Sequence, residues 1–187
     1  LANASTVGFK RDRVVFEDLL YQIQRQPGAQ SSENTLIPTG LQVGTGVRVS
    51  STQKQFSTGS IQVTEQPLDM AINGRGFFQI LLPDGNVAYT RNGEFALSAD
   101  GDLVNSDGLL LQPGIAIPQN TLSVTVSRDG VVSALVQGTS TPTVAGNIQL
   151  ADFINPAGLQ AIGANLFLET ASSGAVNQGT PDTNGFG

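Results

Sequence analysis

Phe77-Phe78-Gln79-Ile80-Leu81-Leu82-Pro83-Asp84-Gly85-Asn86-Val87-Ala88-Tyr89-Thr90-Arg91 is the stretch that decides the fold class. Two short runs, rich in aromatic and aliphatic residues, flank Pro-Asp-Gly, a turn whose glycine supplies positive φ at no steric cost, so the segment reads as a β-hairpin. The same punctuation recurs downstream at Asn92-Gly93, Asp100-Gly101, Asp107-Gly108 and Asp129-Gly130. Residues 122–126 and 131–134 flank the last of these as a second hairpin. Turn signals about 8–12 residues apart predict a mainly β fold of hairpins and meander, a sandwich or open barrel-like domain.

Outward from this centre the period stays at two. Leu41, Val43, Thr45, Val47 and Val49 alternate, as do Leu68, Met70 and Ile72, and then Ile148 and Leu150 before the stop at Asn155-Pro156. A short helical turn is expected over 157–161, then a last strand at Leu166-Phe167-Leu168-Glu169, where the core should end. Residues 11–24 carry a different pattern. Val15, Phe16, Leu19, Leu20 and Ile23 fall on one stripe at helical spacing, which predicts one N-terminal helix. After it, Gln26-Pro27-Gly28-Ala29-Gln30-Ser31-Ser32 and Pro38-Thr39-Gly40 break any periodicity, so 25–40 reads as an extended arm. The chain thus divides into 1–24, an inner segment ending in the short helix; the arm 25–40; a β-rich outer domain at 41–170; and an extended C-terminal return segment at 171–187, poor in large apolar groups.

Composition narrows the function more by what is missing than by what is present. The 187 residues contain no His and no Cys. That removes the usual ligands of structural zinc, iron–sulfur clusters and haem, the imidazole base of Ser/His/Asp and Cys/His catalysis, and any disulfide. Only 13% of residues are charged, about half the usual share of ~25%. Ser, Thr, Asn and Gln together number 59, so the surface is polar but sparsely charged. The net charge of −6 is uneven: residues 1–91 carry +1 and residues 92–187 carry −7. The one basic cluster, Lys10, Arg11 and Arg13, is diluted by Asp12, Glu17 and Asp18, which argues against nucleic acid. No apolar run approaches the length of a membrane-spanning helix.

The sharper motifs read as structure. Gly74-Arg75-Gly76 opens like a dinucleotide fingerprint, but Gln79 stands where the third glycine belongs and the following residues read as strand. Asp100, Asp102, Asn105 and Asp107 resemble a calcium loop, yet Val104 occupies a ligand position and Leu111 the place of the bidentate carboxylate, so two β-turns explain them better. Four of the ten Asp residues sit in Asp-Gly turns, where they bond the local backbone, and Lys10 and Lys54, the only lysines, lie outside apolar stretches that would activate them. The expectation is no enzyme, no cofactor and no metal site.

The residues themselves resemble a known family, the axial rod and hook proteins of the bacterial flagellum. The opening Leu1-Ala2-Asn3-Ala4-Ser5-Thr6-Val7-Gly8-Phe9-Lys10 is similar to the family's N-terminal signature. Within the family the likeness is strongest to the distal rod branch, through Val15-Phe16-Glu17-Asp18-Leu19-Leu20-Tyr21, Arg25-Gln26-Pro27-Gly28-Ala29-Gln30-Ser31-Ser32, and Pro38-x-Gly40-Leu41-Gln42-x-Gly44-x-Gly46-Val47-Arg48. It continues in Asp69-x-Ala71-Ile72-x-Gly74-x-Gly76-Phe77-Phe78, Leu82-Pro83-Asp84-Gly85, Tyr89-Thr90-Arg91-x-Gly93, Arg128-Asp129-Gly130-Val131-Val132-Ser133 and Gly158-Leu159-x-x-Ile162-Gly163-x-Asn165-Leu166.

What the resemblance implies is a structural subunit exported by the flagellar secretion system, stacking helically with copies of itself into a stiff drive shaft at the level of the periplasm and outer membrane. Proximal rod and hook proteins would lie at its two ends and a ring bushing around it. Terminal helices, paired into an inner tube, would carry self-assembly, and the stretch read here lacks them, so alone it is expected to be monomeric. The arm residues Arg25, Gln26, Pro27, Gly28, Ala29, Gln30, Ser31, Ser32, Pro38 and Gly40 would contact neighbouring subunits. The signature residues are Leu1, Ala2, Asn3, Thr6, Gly8, Phe9, Lys10, Gly74, Gly76, Phe77 and Phe78. Two other readings stand beside this one: another axial subunit, from the proximal rod or the hook, and a β-rich glycan-binding module.

Overall fold

The computed structural model describes residues 6–25, 30–32, 35–36, 41–183 and 186–187. Its contacts divide the chain into two units, Arg11–Gln55 and a larger one made of Leu1–Lys10 with Phe56–Gly187.

The smaller unit is a two-stranded antiparallel ribbon in three nested stages. Strands β1 (Asp12–Asp18), β2 (Tyr21–Arg25) and β3 (Gln30–Ser32) run out; β4 (Thr35–Leu36), β5 (Leu41–Gly44) and β6 (Val47–Lys54) return. The pairs are β1 with β6, β2 with β5 and β3 with β4. The helix expected over 11–24 is therefore a correction: β1 and β2 occupy that stretch. The physical reason lies in the partner. Val14, Val15 and Phe16 favour strands, and the return run Val47-Arg48-Val49-Ser50-Ser51-Thr52 offers a ladder that a helix would leave unpaired. Register brings opposite charges face to face: Lys54 Nζ lies 3.1 Å from Asp12, and Arg48 pairs with Glu17. A bulge between Val15 and Phe16 shifts the register and breaks the simple alternation, which is why the apolar positions mimic a helical stripe.

The larger unit begins with the quoted hairpin, β7 (Phe78–Leu81) and β8 (Val87–Thr90), followed by β9 (Phe95–Leu97), β10 (Leu103–Asn105) and β11 (Leu111–Gln112). Next come the meander β12 (Thr121–Val126), β13 (Val131–Val136) and β14 (Thr143–Asn147), then β15 (Leu150–Asp152), a 3₁₀ turn at Pro156–Gly158, β16 (Gln160–Gly163), β17 (Leu166–Leu168) and β18 (Asn177–Gly179). The central sheet has the order β11-β7-β8-β17-β16, all antiparallel. One apolar cluster, with Phe78, Ile80, Ala88 and Leu166, fills one face; the other, with Phe77, Tyr89 and Phe167, fills the opposite face. A sheet covered on both sides needs apolar residues at consecutive positions, and Phe77-Phe78-Gln79-Ile80 is such a run. Gln79, buried among them, keeps its amide satisfied: Gln178 Nε2 donates to its Oε1 at 2.8 Å.

The mainly β fold with both predicted hairpins is borne out. Four of the Asp-Gly turns place glycine at φ between 79° and 90°. Asn92-Gly93 does not: Gly93 has no left-handed φ, and its missing side chain makes room instead, since a Cβ there would lie 1.6 Å from the Met70 carbonyl oxygen. Leu68, Met70 and Ile72 form no strand; Asp69 makes a single bridge to Glu94. The helical turn expected over 157–161 is the 3₁₀ turn at Pro156–Gly158 followed by β16. Nor does the core end at β17. β18 pairs with β15, Gly187 N donates to Arg75 O at 3.0 Å, and Phe186 packs over Gly76 and Gly179.

The Asp84 turn sets a small pH dependence. Its carboxylate accepts from Asn86 N at 3.0 Å and Asn86 Nδ2 at 2.8 Å. These bonds hold its pKa below the ordinary 3.8. The group therefore contributes stability that is fully present above that value and lost as pH falls through its lower folded value. Asp84→Asn should lower stability slightly at pH 7 and converge on the parent as pH falls from 5 to 2, so that its acid limb is flatter; an unaltered acid limb would remove this assignment.

Candidate functional site

Two sets of residues come forward, one on each unit. On the ribbon, the paired strands expose an unusual amount of apolar surface. Phe16 is 62% exposed, Val47 67%, Val49 58% and Leu20 88%, and Phe16 stands directly opposite Val49. A two-stranded ribbon is only marginally stable by itself in water, so such residues on it call for a covering surface. Arg25 closes β2 opposite Leu41, and Gln30, Ser31 and Ser32 form β3 near the far end. Where described, Arg25, Gln30–Ser32 and Thr35–Leu36 of the expected arm belong to an antiparallel ladder. Gln26, Pro27, Gly28, Ala29, Pro38 and Gly40 lie outside the described residues.

On the larger unit the described signature residues come from two distant parts of the chain, 6–10 and 74–78, and pack against further segments. Gly8, at φ 70°, sits so close to residues 91–92 that a Cβ would lie 2.9 Å from Asn92 N. Asn165 Nδ2 donates to Val7 O at 2.9 Å, and Lys10 Nζ donates to Ser57 O at 2.8 Å. Thr6 O accepts from Phe9 N, closing a turn. Gly76 leaves 3.2 Å for Leu150, which lets Phe77 pair across to Ala151 through bonds of 2.7 and 2.9 Å. Phe77 is then ringed edge-to-face by Phe56, Phe153 and Phe167, while Phe78 packs on Phe95 on the opposite side of the sheet. Leu1, Ala2 and Asn3 lie outside the described residues.

The signature positions are thus packing and close-approach residues of one joint. Arg91 was quoted in the Tyr89-Thr90-Arg91-x-Gly93 motif with no role of its own, yet it is the charged centre of this joint. Its guanidinium stacks 5.3 Å from the Phe77 ring centroid and donates from Nη2 to Gly74 O at 2.6 Å. Burial holds its pKa below the ordinary value, opposed by Asp152. Lys10 is likewise held down, first by burial and then by Arg91. Among the described residues no group of three or more metal-ligating side chains comes together.

Residues 71–134, which hold this hairpin, match the family described as the flagellar hook protein FlgE/F/G D1 domain. Over its whole length the chain is 50% identical to the flagellar basal-body rod protein FlgG of Buchnera aphidicola from Schizaphis graminum, covering 72% of that protein, and 50% identical to FlgG of Caulobacter vibrioides, again covering 72%. The chain belongs to the FlgG family of flagellar basal-body rod proteins. Likeness to a hook protein is narrower: FlgE of Helicobacter pylori is 40% identical over 114 residues, which span 60% of this chain and 16% of that protein. The rod relatives match the chain over its whole length, ribbon and β domain alike, and that full match favours the rod over the hook. The FlgG family assignment makes this a structural subunit of the flagellar rod, and the glycan-binding reading falls away. Gly8, Gly76 and Phe77 thus hold the N-terminal turn at residues 6–9 and the Phe77 segment close against the β domain.

Proposed function

We propose that the chain is a non-enzymatic distal rod subunit that packs helically with copies of itself, and that the ribbon is the strut through which stiffness passes between neighbours. The observation that carries this reading is the row of exposed Phe16, Leu20, Val47 and Val49 on a two-stranded ribbon. Burying such residues against another subunit contributes roughly 25 cal/mol per Å² of apolar surface. The polar, weakly charged remainder supplies hydrogen bonds that do not depend on ionic strength. Proximal rod and hook proteins cap the stack, and a ring surrounds it outside the inner membrane. Torque is then spread over many short contacts.

Deleting residues 25–38 in a full-length chain tests the strut. The β domain should fold unchanged by circular dichroism, while filaments seen by electron microscopy should bend with a persistence length at least several-fold shorter. Filaments as straight as the parent would remove the strut from the mechanism and leave the rod assignment intact.

A further inference from the structure

Beside the joint lies a cleft of 280 Å³ whose charge does not balance. Its apolar walls are Phe56, Phe77 and Pro156, and its charged lining is Arg75, Arg91 and Asp152. Arg75 Nη2 lies 2.7 Å from Asp152 Oδ2. That pair leaves Arg91 without a carboxylate in contact, and its Nε–H is buried with no hydrogen-bond partner among the described residues. Lys10, donating to the carbonyl of the lining residue Ser57, lies nearby outside the lining. Two guanidiniums therefore face one carboxylate, a local excess of one positive charge in a chain whose net charge is −6. A half-buried guanidinium with an idle donor is costly unless an anion answers it.

We infer that this cleft is a binding site for a carboxylate carried on a short apolar stem, either a free aliphatic acid or an Asp or Glu side chain of a second copy of this chain. Planar guanidinium groups match a carboxylate's two oxygens. The Phe56, Phe77 and Pro156 walls take the methylene stem. Asp152, fixed in the lining, opposes a dianion such as phosphate, which selects for a single negative charge. The volume suits a group of side-chain size, since pockets for larger ligands run from about 300 to 1,000 Å³. Acidic side chains are in surplus in the C-terminal half, so a second copy has donors to offer.

Butyrate is the probe for the free acid, titrated against the whole chain with chloride at matched ionic strength and followed by amide chemical shifts. The expected result is saturable shifts at Arg75, Arg91 and Phe77, with a Kd of roughly 1–10 mM. Arg75→Gln should weaken binding about threefold to fivefold, and Asp152→Asn should tighten it by a similar factor. A purely structural role for the cluster predicts no gain from Asp152→Asn. Sedimentation equilibrium then separates the sources. Self-association reversed by butyrate identifies the second copy's carboxylate, and a chain that stays monomeric while binding butyrate identifies the free acid. The absence of saturable shifts in both the parent and Asp152→Asn, well above ~10 mM butyrate, overturns the site. Neither outcome bears on the rod assignment, which rests on the ribbon and the family.

Discussion

Gly93→Ala is expected to lower the stability of the larger unit by more than about 3 kcal/mol, since its Cβ would make a very close approach to backbone. An added Cβ would lie 1.6 Å from the Met70 carbonyl oxygen and 2.7 Å from its carbon. Both neighbours are backbone, so no side chain can swing aside. Relief requires the two backbone segments to part, which breaks the 2.9 Å bond from Met70 N to Gly93 O and the bridge between Asp69 and Glu94. Gly85→Ala is the control. Gly85 has φ 85°, but a Cβ there meets nothing within 4 Å, so only left-handed strain of about 1–2 kcal/mol is expected. Urea unfolding of the two variants should separate them by at least ~1 kcal/mol. Equal losses would mean that conformation, and not close approach, places glycine at position 93.

That glycine also shows how far the sequence could be read. Asn-Gly and Asp-Gly pairs look alike in one dimension, and for Asp84-Gly85, Asp100-Gly101, Asp107-Gly108 and Asp129-Gly130 the turn reading holds. At Asn92-Gly93 the constraint comes from Met70, a residue from another strand-like segment, and no local pattern announces it. The ribbon failed for a related reason. Its apolar residues were legible, but a bulge at Val15 and Phe16 shifted them onto helical spacing. The return run carries the missing signal, because Arg48 and Lys54 stand opposite Glu17 and Asp12 in register. Charge complementarity between two segments is a tertiary signal carried in plain sequence.

The same limit applies to the candidate site. The resemblance identified Gly8, Gly74, Gly76 and Phe77 as signature positions without saying why they belong together. Their meaning is a shared place: Gly8 admits the backbone near Asn92, Gly76 admits Leu150, and Phe77 fills the space between sheets. Arg91 and Asp152 stand far apart in sequence and line one cleft only because β8 and β15 flank the Phe77 segment. The tail 171–187 looked too polar to belong to a core. Phe186 anchors its end beside the bond from Gly187 N to Arg75 O, and Ser173, fully buried, satisfies its own hydroxyl by donating to Thr170 O at 2.8 Å. Composition averaged over a segment hides single anchors of that kind.

Phe77→Ala is expected to cost about 3–5 kcal/mol. The ring is 1% exposed, and its centroid lies 5.2 Å from that of Phe56, 5.9 Å from Phe153 and 6.3 Å from Phe167. Truncation therefore removes three edge-to-face partners as well as buried area, and the neighbours are held by strands that cannot collapse far into the gap. The melting temperature should fall by about 10 °C for a domain of this size. Phe77 also lies under Arg91, so the variant takes away the face on which that guanidinium rests. Phe167→Ala opens a comparable cavity in the same cluster while leaving the stack in place. A double-mutant cycle pairing each truncation with Arg91→Lys isolates the difference: Phe77 should couple to Arg91 by about 0.5–1 kcal/mol and Phe167 by nearly nothing. If both couple equally, the stack adds no energy beyond packing, and the position of Arg91 is set by its bond to Gly74. A loss below about 2 kcal/mol for Phe77→Ala would mean that the cluster closes over the gap, and the joint between the signature segments would then be softer than its geometry implies.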